Sequence, residues 1–246
     1  MKIFVLSLIL SVGLISGPAS AFSTGTDLVV PNANAATEGQ NTFAGVLTGN
    51  SLTLQMLIHE DQLSSVVGQN LNAVQWRTPP TPSGFFREFP STDLQFNNFD
   101  IRLSQGVVPS DISFRYSDNI VGQQTLVRSG PLTIAAGSYT SGLVPNEFGT
   151  SIPFSNYLYT GGHLLFELRH DGLVGGLQRL DAVGSFGATQ FSSIFDGSYT
   201  GTTGLPASFL ITQFSTSPIP EPSSSILLAI ISVACGLCRK RTLNLP

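Results

Sequence analysis

The chain has 246 residues, a formal net charge of −4 and charged side chains at only 11% of positions. Between residues 22 and 217 it carries seven arginines, no lysine and fourteen acidic residues, a net charge of −7. A negative surface without lysine argues against nucleic-acid binding, because basic patches supply that affinity. The length and the 25 glycines and 15 prolines are typical of one large domain of short strands joined by turns.

The N-terminus has the three parts of a secretory signal peptide. Lys2 supplies the positive charge, and residues 3–15 are apolar. Small residues at Ala19 and Ala21 then form a cleavage site. We therefore expect residues 1–21 to be removed and the mature chain to begin directly after them. A retained membrane anchor is the alternative, against which the short apolar run argues.

Alternation of apolar and polar residues with period two predicts strands along the rest of the chain. The predicted strands cover residues 51–56, 71–77, 99–104, 112–116, 132–134, 163–170, 180–182 and 208–212. Residues 78–84 contain three prolines and must form a loop, because proline cannot donate a hydrogen bond to a ladder.

Two of these strands indicate which side chains face the core. In residues 99–104 the apolar side chains point inward, and the outward ones are Asp100, Arg102 and Ser104. In residues 163–170 the even-numbered apolar side chains share one face, and the other face holds Leu165, Glu167 and Arg169. We expect the outward faces to be mostly wet, with Glu167 in an ion pair there.

About ten strands without sustained helical periodicity predict an all-β fold, an antiparallel β-sandwich of jelly-roll type. Residues 59–67 allow one short helical turn at most. We expect the sandwich to cover residues 22–214 and a C-terminal segment to cover residues 215–246.

The C-terminal segment has three parts in a fixed order. The linker, residues 215–225, contains Pro220, Glu221 and Pro222. Residues 226–238 are uncharged, so a helix there is apolar on every face and suits lipid. We therefore expect a transmembrane helix over residues 226–238, with a short buried helix as the alternative.

A basic tail, residues 239–246, follows the apolar run. It opens with Arg239, Lys240 and Arg241. Because Lys and Arg stay on the cytoplasmic side of a membrane, this cluster stops transfer and leaves the main body outside the cell. The run also holds Cys235 and Cys238, which are the only cysteines, so residues 22–217 have no disulfide. We interpret both cysteines simply as apolar residues of this run, and their lipidation is the alternative.

This arrangement resembles the PEP-CTERM sorting signal of Gram-negative bacteria. The resemblance implies that exosortase, an integral-membrane cysteine protease and transpeptidase, recognises the tail and cuts near Pro220-Glu221-Pro222. The body is similar to a recurrent ectodomain of uncharacterised PEP-CTERM proteins over residues 99–104, 127–132 and 162–169. No activity is assigned to that ectodomain, so the resemblance transfers no site residue.

Few residues of the body are suited to catalysis or metal binding. His59, Glu60 and Asp61 are consecutive, and consecutive strand residues point to opposite faces, so we expect a solvated strand end or turn. His163 and His170 flank one strand about 23 Å apart and cannot hold one metal. No nucleophile elbow, zinc-binding helix or phosphate loop is present. We therefore expect no catalytic residue, metal or cofactor.

Three aromatic residues, Trp76, Phe85 and Phe86, flank the proline-rich loop. Exposed aromatic rings beside such a loop can stack on sugar rings, which would make them a ligand-binding site. In the alternative interpretation Trp76 lies in the core and the two phenylalanines cover a sandwich edge.

These observations support three hypotheses. The first is an exported, non-enzymatic protein of the cell surface or extracellular matrix, whose partners are the membrane and an exosortase-like protease. The second is a carbohydrate-binding module for extracellular polysaccharide that uses the three aromatics. The third is a hydrolase with an unrecognised carboxylate pair. In the second half of the body, the candidate carboxylates are Glu147 and Glu167.

Overall fold

The computed structural model describes residues 27–79, 87–174, 178–185 and 188–219. These residues are mostly in strands, and every strand pair among them is antiparallel. The predicted all-β class is therefore confirmed. The one α-helix of the described residues, α1, covers Glu60–Leu63, within the segment that allowed a helical turn.

The strands are numbered in chain order: β1 Leu28–Val30, β2 Asn41–Leu47, β3 Leu52–Ile58, β4 Gln69–Trp76, β5 Arg87–Phe89, β6 Leu94–Phe96, β7 Phe99–Gly106, β8 Ile120–Arg128, β9 Leu132–Ile134, β10 Tyr139–Ser141, β11 Ile152–Leu158, β12 Leu164–His170, β13 Leu173–Val174, β14 Gln178–Gly184, β15 Phe191–Asp196, β16 Leu205–Pro206, β17 Ser208–Leu210 and β18 Thr212–Pro218. Short 3-10 turns cover Asn32–Asn34, Ser64–Val66, Pro109–Asp111 and Tyr116–Asn119.

The largest sheet has six strands in the order β16-β15-β3-β12-β7-β8. Its inner face packs against a four-stranded sheet, β1-β18-β4-β11, and Phe166 of β12 contacts Phe214 of β18 with ring centroids 6.1 Å apart. Three smaller sheets, β17-β14-β2, β13-β6-β9 and β10-β5, surround this pair and contribute side chains to the same core.

The core follows from the alternation in the sequence. Side chains two residues apart share a face of a strand, so the even-numbered apolar residues of β3 and β12 and the odd-numbered ones of β7 all point inward. Burying each large apolar side chain contributes about 1.5–3 kcal/mol. The expected inward faces of residues 99–104 and 163–170 are confirmed.

The strand predicted over residues 112–116 is wrong. This stretch lies between two 3-10 turns and has a single bridge, from Arg115 to Thr203. The side chain of Asn119 explains the difference, because it bonds both backbone groups of Ser113, accepting from the N–H at 2.7 Å and donating to the carbonyl at 2.8 Å. Such side-chain bonds compete with a sheet ladder.

The sheet also extends past the predicted domain end at residue 214. Strand β18 continues to Pro218, and Ser215 pairs with Ala73 of β4. The first residues of the predicted linker are therefore part of the sheet. Among the described residues, no helix is long and apolar enough to cross a membrane. The predicted signal peptide and transmembrane helix lie outside the described residues.

The outer face of the six-stranded sheet is covered, although the sequence predicted a mostly wet surface. Strand β3 is buried along its whole length, and Asp100, Ser104 and Glu167 on the neighbouring strands are buried as well. Two segments lie over this face, one around the 3-10 turn at Tyr116–Asn119 and one between β15 and β16. The space between these segments and the sheet is the candidate site.

Candidate functional site

Four charged side chains alternate in sign on the outer face of β7 and β12. Glu167 lies opposite Arg102, and Arg169 lies opposite Asp100. Because residues two apart share a face, each charge has an opposite charge both along and across the strands. Glu167 Oε1 is 2.7 Å from Arg169 Nε and 3.6 Å from Arg102 Nη1. The other pair, Asp100 Oδ2 and Arg102 Nη2, is 3.5 Å apart.

The carboxylate of Glu167 is the buried centre of this group. The residue is 1% exposed, so its charge needs partners inside the protein. Arg169 binds one oxygen, and Gln55 Nε2 donates to the other, Oε2, at 2.8 Å. Asn119 Nδ2 in turn donates to Gln55 Oε1 at 2.9 Å. The predicted cross-strand ion pair of Glu167 is present, with Arg102 of β7, but it is buried rather than on a wet face, and the shorter ion pair is with Arg169 on the same strand.

A pocket of about 750 Å³ opens above these charges. Its lining comes from β7, β8, β12 and the two covering segments: Arg102, Arg115, Tyr116, Ser117, Ile120, Gln124, Glu167, Arg169, Tyr199, Thr200, Gly201, Thr202 and Thr203. The volume lies within the range of about 300–1,000 Å³ that is typical of small-molecule sites.

Hydrogen bonds from the sheet hold both covering segments in place. Arg169 Nη1 donates to the carbonyls of Tyr199 and Gly201, at 3.2 and 3.3 Å. The hydroxyl of Tyr116 donates to the carbonyl of Thr53 at 3.1 Å. The backbone N–H of Tyr116 donates to the carbonyl of Thr202 at 3.0 Å, which joins one segment to the other. The pocket walls are therefore tied to the sheet and to each other.

The two tyrosines of the pocket keep their protons near neutral pH. The hydrogen bond from Tyr199 to Asp100 Oδ2, at 2.7 Å, raises the pKa of Tyr199, and burial adds to the effect. Burial, with a further contribution from Asp196, raises the pKa of Tyr116. Each hydroxyl proton is already donated within the protein, to Asp100 from Tyr199 and to the carbonyl of Thr53 from Tyr116. The ring of Tyr199 is partly exposed and offers a ligand an apolar surface, whereas Tyr116 is 2% exposed and supports the pocket wall.

The structure does not support the site predicted at Trp76. This side chain is 0% exposed and belongs to the core, and its indole Nε1–H donates to Thr212 Oγ1 at 3.0 Å. A fully buried ring cannot stack on a sugar, so the prediction of Trp76 as a ligand-binding residue is wrong and the core alternative is confirmed. Phe85 and Phe86, which were predicted beside it, lie outside the described residues.

The other predicted site residues also lie outside the described residues. These are the cleavage-site residues Ala19 and Ala21, the sorting motif Pro220, Glu221 and Pro222, and the basic cluster Arg239, Lys240 and Arg241.

The histidines lie at two separate places. His59 caps α1, since its Nδ1 accepts the N–H of Asp61 at 3.3 Å, and its ring lies 4.5 Å from the ring of His163. His170 is buried at the other end of β12. His163 and His170 therefore do not meet, as their spacing predicted. Within the described ranges, no group of three or more His, Cys, Asp or Glu side chains is placed to hold a metal ion.

Apart from Glu167, which was a candidate carboxylate of the hydrolase hypothesis, the residues of the pocket were not recognised as a site from the sequence. Its lining takes Arg102 from β7, Arg115 from the covering segment that follows it and Arg169 from β12, and these are three of the seven arginines between residues 22 and 217. Comparisons with protein-family models, with curated proteins and with solved structures found no match to this chain.

Proposed function

We propose that this protein is an exported, non-enzymatic binding protein of the cell surface or extracellular matrix. Its body is a β-sandwich of jelly-roll type, and its ligand is a saccharide bound in the pocket over the six-stranded sheet. The terminal segments support export: residues 1–21 have the pattern of a signal peptide, and residues 215–246 resemble a PEP-CTERM signal.

The composition of the pocket wall is the observation that carries the binding proposal. Tyr199 and Ile120, which are both partly exposed, offer apolar surface for the C–H faces of a sugar ring. The threonines at 200, 202 and 203 and the amide of Gln124 offer hydrogen-bonding groups for its hydroxyls. Apolar walls combined with a few placed polar groups are the usual construction of a small-molecule site.

The same pocket favours binding over hydrolysis. A glycosidase needs two carboxyl groups that face each other across roughly 5–9.5 Å. The pocket lining described here contains one, Glu167, and both of its oxygens already accept hydrogen bonds, from Arg169 and Gln55. A carboxylate held in this way is suited to fixing the pocket wall.

The C-terminal segment gives the proposed route to the surface. The apolar run 226–238 would hold the protein in the membrane after export, with Arg239, Lys240 and Arg241 inside the cell. An exosortase-like protease would then cut near Pro220-Glu221-Pro222 and release or transfer the body.

A glycan array probed with the full chain in detergent tests the binding proposal. Thr202 is exposed at the pocket wall, so Thr202→Trp fills the pocket without removing a bond of the charged group. Thr133→Trp, at an exposed position of β9 outside the pocket lining, is the matched control. We expect the wild type and the control to bind a common set of saccharides that the pocket variant does not bind. Equal binding by both variants, or no binding by the wild type, would contradict the proposal.

A further inference from the structure

We propose that the pocket selects a saccharide that carries a carboxylate, a uronic acid, and that the guanidinium group of Arg102 binds this carboxylate. This inference rests on the proposed function and names its ligand class. It starts from the hydrogen-bonding groups that the protein leaves unused at the pocket.

Arg102 has donor capacity that the protein does not use. Its two contacts with Glu167 and Asp100 are long, at 3.6 and 3.5 Å. Among the described residues, Nη1 of Arg102 is shielded from solvent and has no hydrogen-bond partner. A guanidinium group is a planar fork of N–H donors that matches the two oxygens of a carboxylate.

Arg169 shows what a structural arginine at this face looks like. It binds Glu167 at 2.7 Å and two backbone carbonyls at 3.2 and 3.3 Å, so its donors are engaged in holding the fold. Arg102 lies one strand away on the same face and lacks such short bonds. The contrast assigns the structural role to Arg169 and leaves Arg102 for a ligand.

A second unused donor lines the same pocket. Gln124 Nε2 is also shielded from solvent and has no partner within the described part of the chain. Buried polar groups without partners are rare in proteins, and each one is costly. Two unpaired nitrogen donors in one pocket, beside a carboxylate whose oxygens are already bonded, favour a ligand rich in acceptor oxygens.

The charges around the pocket favour a single carboxylate over a doubly charged group. Glu167 and Asp100 lie beside Arg102, and Asp196 lies next to Gly201 of the pocket wall. These three acids equal in number the three arginines of the pocket lining. A phosphate dianion would therefore be under-compensated here. Arg115, whose side chain is 69% exposed at the mouth, pairs with Asp118 at 4.0 Å, which leaves Arg102 as the arginine placed to bind the carboxylate.

Calorimetric titration of the full chain in detergent micelles tests this inference. The ligands are short oligomers of galacturonate, glucuronate and mannuronate, each compared with its methyl ester, which keeps the rings and removes the charge. Acetate tests the carboxylate without the sugar. The variants are Arg102→Gln and a matched control, Arg179→Gln, which removes an arginine of β14 that does not line the pocket.

We expect at least one free acid to bind about 10- to 100-fold more tightly than its ester, because a charge-assisted hydrogen bond is lost on esterification. Arg102→Gln should remove this preference and keep the affinity for the ester, and Arg179→Gln should change neither. Acetate should bind far more weakly than the oligomer.

Each other outcome overturns a defined part of the account. Equal binding of acid and ester contradicts the carboxylate inference and leaves the proposed function standing. If the protein binds neither the acids nor their esters, both the carboxylate inference and the proposed function are contradicted. If acetate binds as tightly as the oligomer, the claim that the ligand is a saccharide is contradicted. The comparison of acid with ester needs only the wild-type chain, so it remains decisive if Arg102→Gln fails to fold. If that variant folds and keeps the acid preference, Arg102 is not the carboxylate-binding residue.

Discussion

His170 shows how one residue is fixed by its surroundings. Its ring packs against those of Phe96 and Phe99, with centroids 5.0 and 6.0 Å away. Nδ1 accepts the N–H of Gly172 at 3.1 Å, so Nε2 carries the proton and donates to the carbonyl of Gly45 at 3.2 Å. Burial lowers the pKa of His170 to about 4, from an ordinary value of 6.5. The folded protein therefore holds a neutral ring.

This shift predicts a loss of stability in acid. Between pH 6.5 and about 4 the unfolded chain binds a proton at His170 and the folded chain does not, so the free energy of unfolding falls as the pH falls through this window. The loss from this residue reaches about 3 kcal/mol. Urea unfolding at pH 7 and pH 4.5 should show a smaller loss for His170→Phe than for the wild type. His163→Gln is the control and should keep the wild-type loss, and equal losses in all three chains would contradict the prediction.

At the scale of elements, the segment around the 3-10 turn at Tyr116–Asn119 depends on one side chain. Asn119 is buried and bonds Gln55 on the sheet as well as both backbone groups of Ser113. We predict that Asn119→Ala loosens this segment and costs about 1–3 kcal/mol, because Gln55 Oε1 then lacks its donor.

Hydrogen exchange read by mass spectrometry checks this prediction. In Asn119→Ala, the amides of residues 112–119 should exchange faster than in the wild type, and saccharide binding should weaken. Ser117→Ala changes an exposed residue of the same segment and should leave exchange unaltered. Unchanged exchange in Asn119→Ala would show that the segment is held by other contacts.

The same elements show what the sequence can predict. Alternation predicted the core faces of β7 and β12 correctly, because a period of two follows directly from the geometry of a strand. It also indicated that Glu167 and Arg169 share the opposite face. It did not reveal that this face is covered, since the covering segment around Tyr116 alternates like a strand in the sequence and the one around Tyr199 has no strand pattern.

The site was missed for the same reason. Opposite charges two residues apart, such as Asp100 with Arg102, are typical of a solvated strand face. Only the pairing of β7 with β12 brings four such charges together, and register depends on contacts that are far apart in sequence. Trp76 was uncertain because an aromatic residue at the end of a strand fits both a core and a binding surface.

At the scale of the whole molecule, the terminal signals predict two cuts. The intact mass of the protein from the exported fraction should correspond to a chain that begins at Phe22 and ends near Pro220-Glu221-Pro222. A mass that includes Arg239-Lys240-Arg241 would instead indicate a permanent membrane anchor. Since β18 reaches Pro218, a cut before that residue would remove part of a sheet strand, and we expect none there.

The central claim is that the pocket over the six-stranded sheet is the ligand site, and a crystal structure of the protein with a bound uronic-acid oligomer tests it most directly. Our account predicts density for the sugar against Tyr199 and Ile120, with its carboxylate against Arg102. An empty pocket, with the oligomer bound elsewhere on the surface, for example against Phe85 and Phe86, would contradict it.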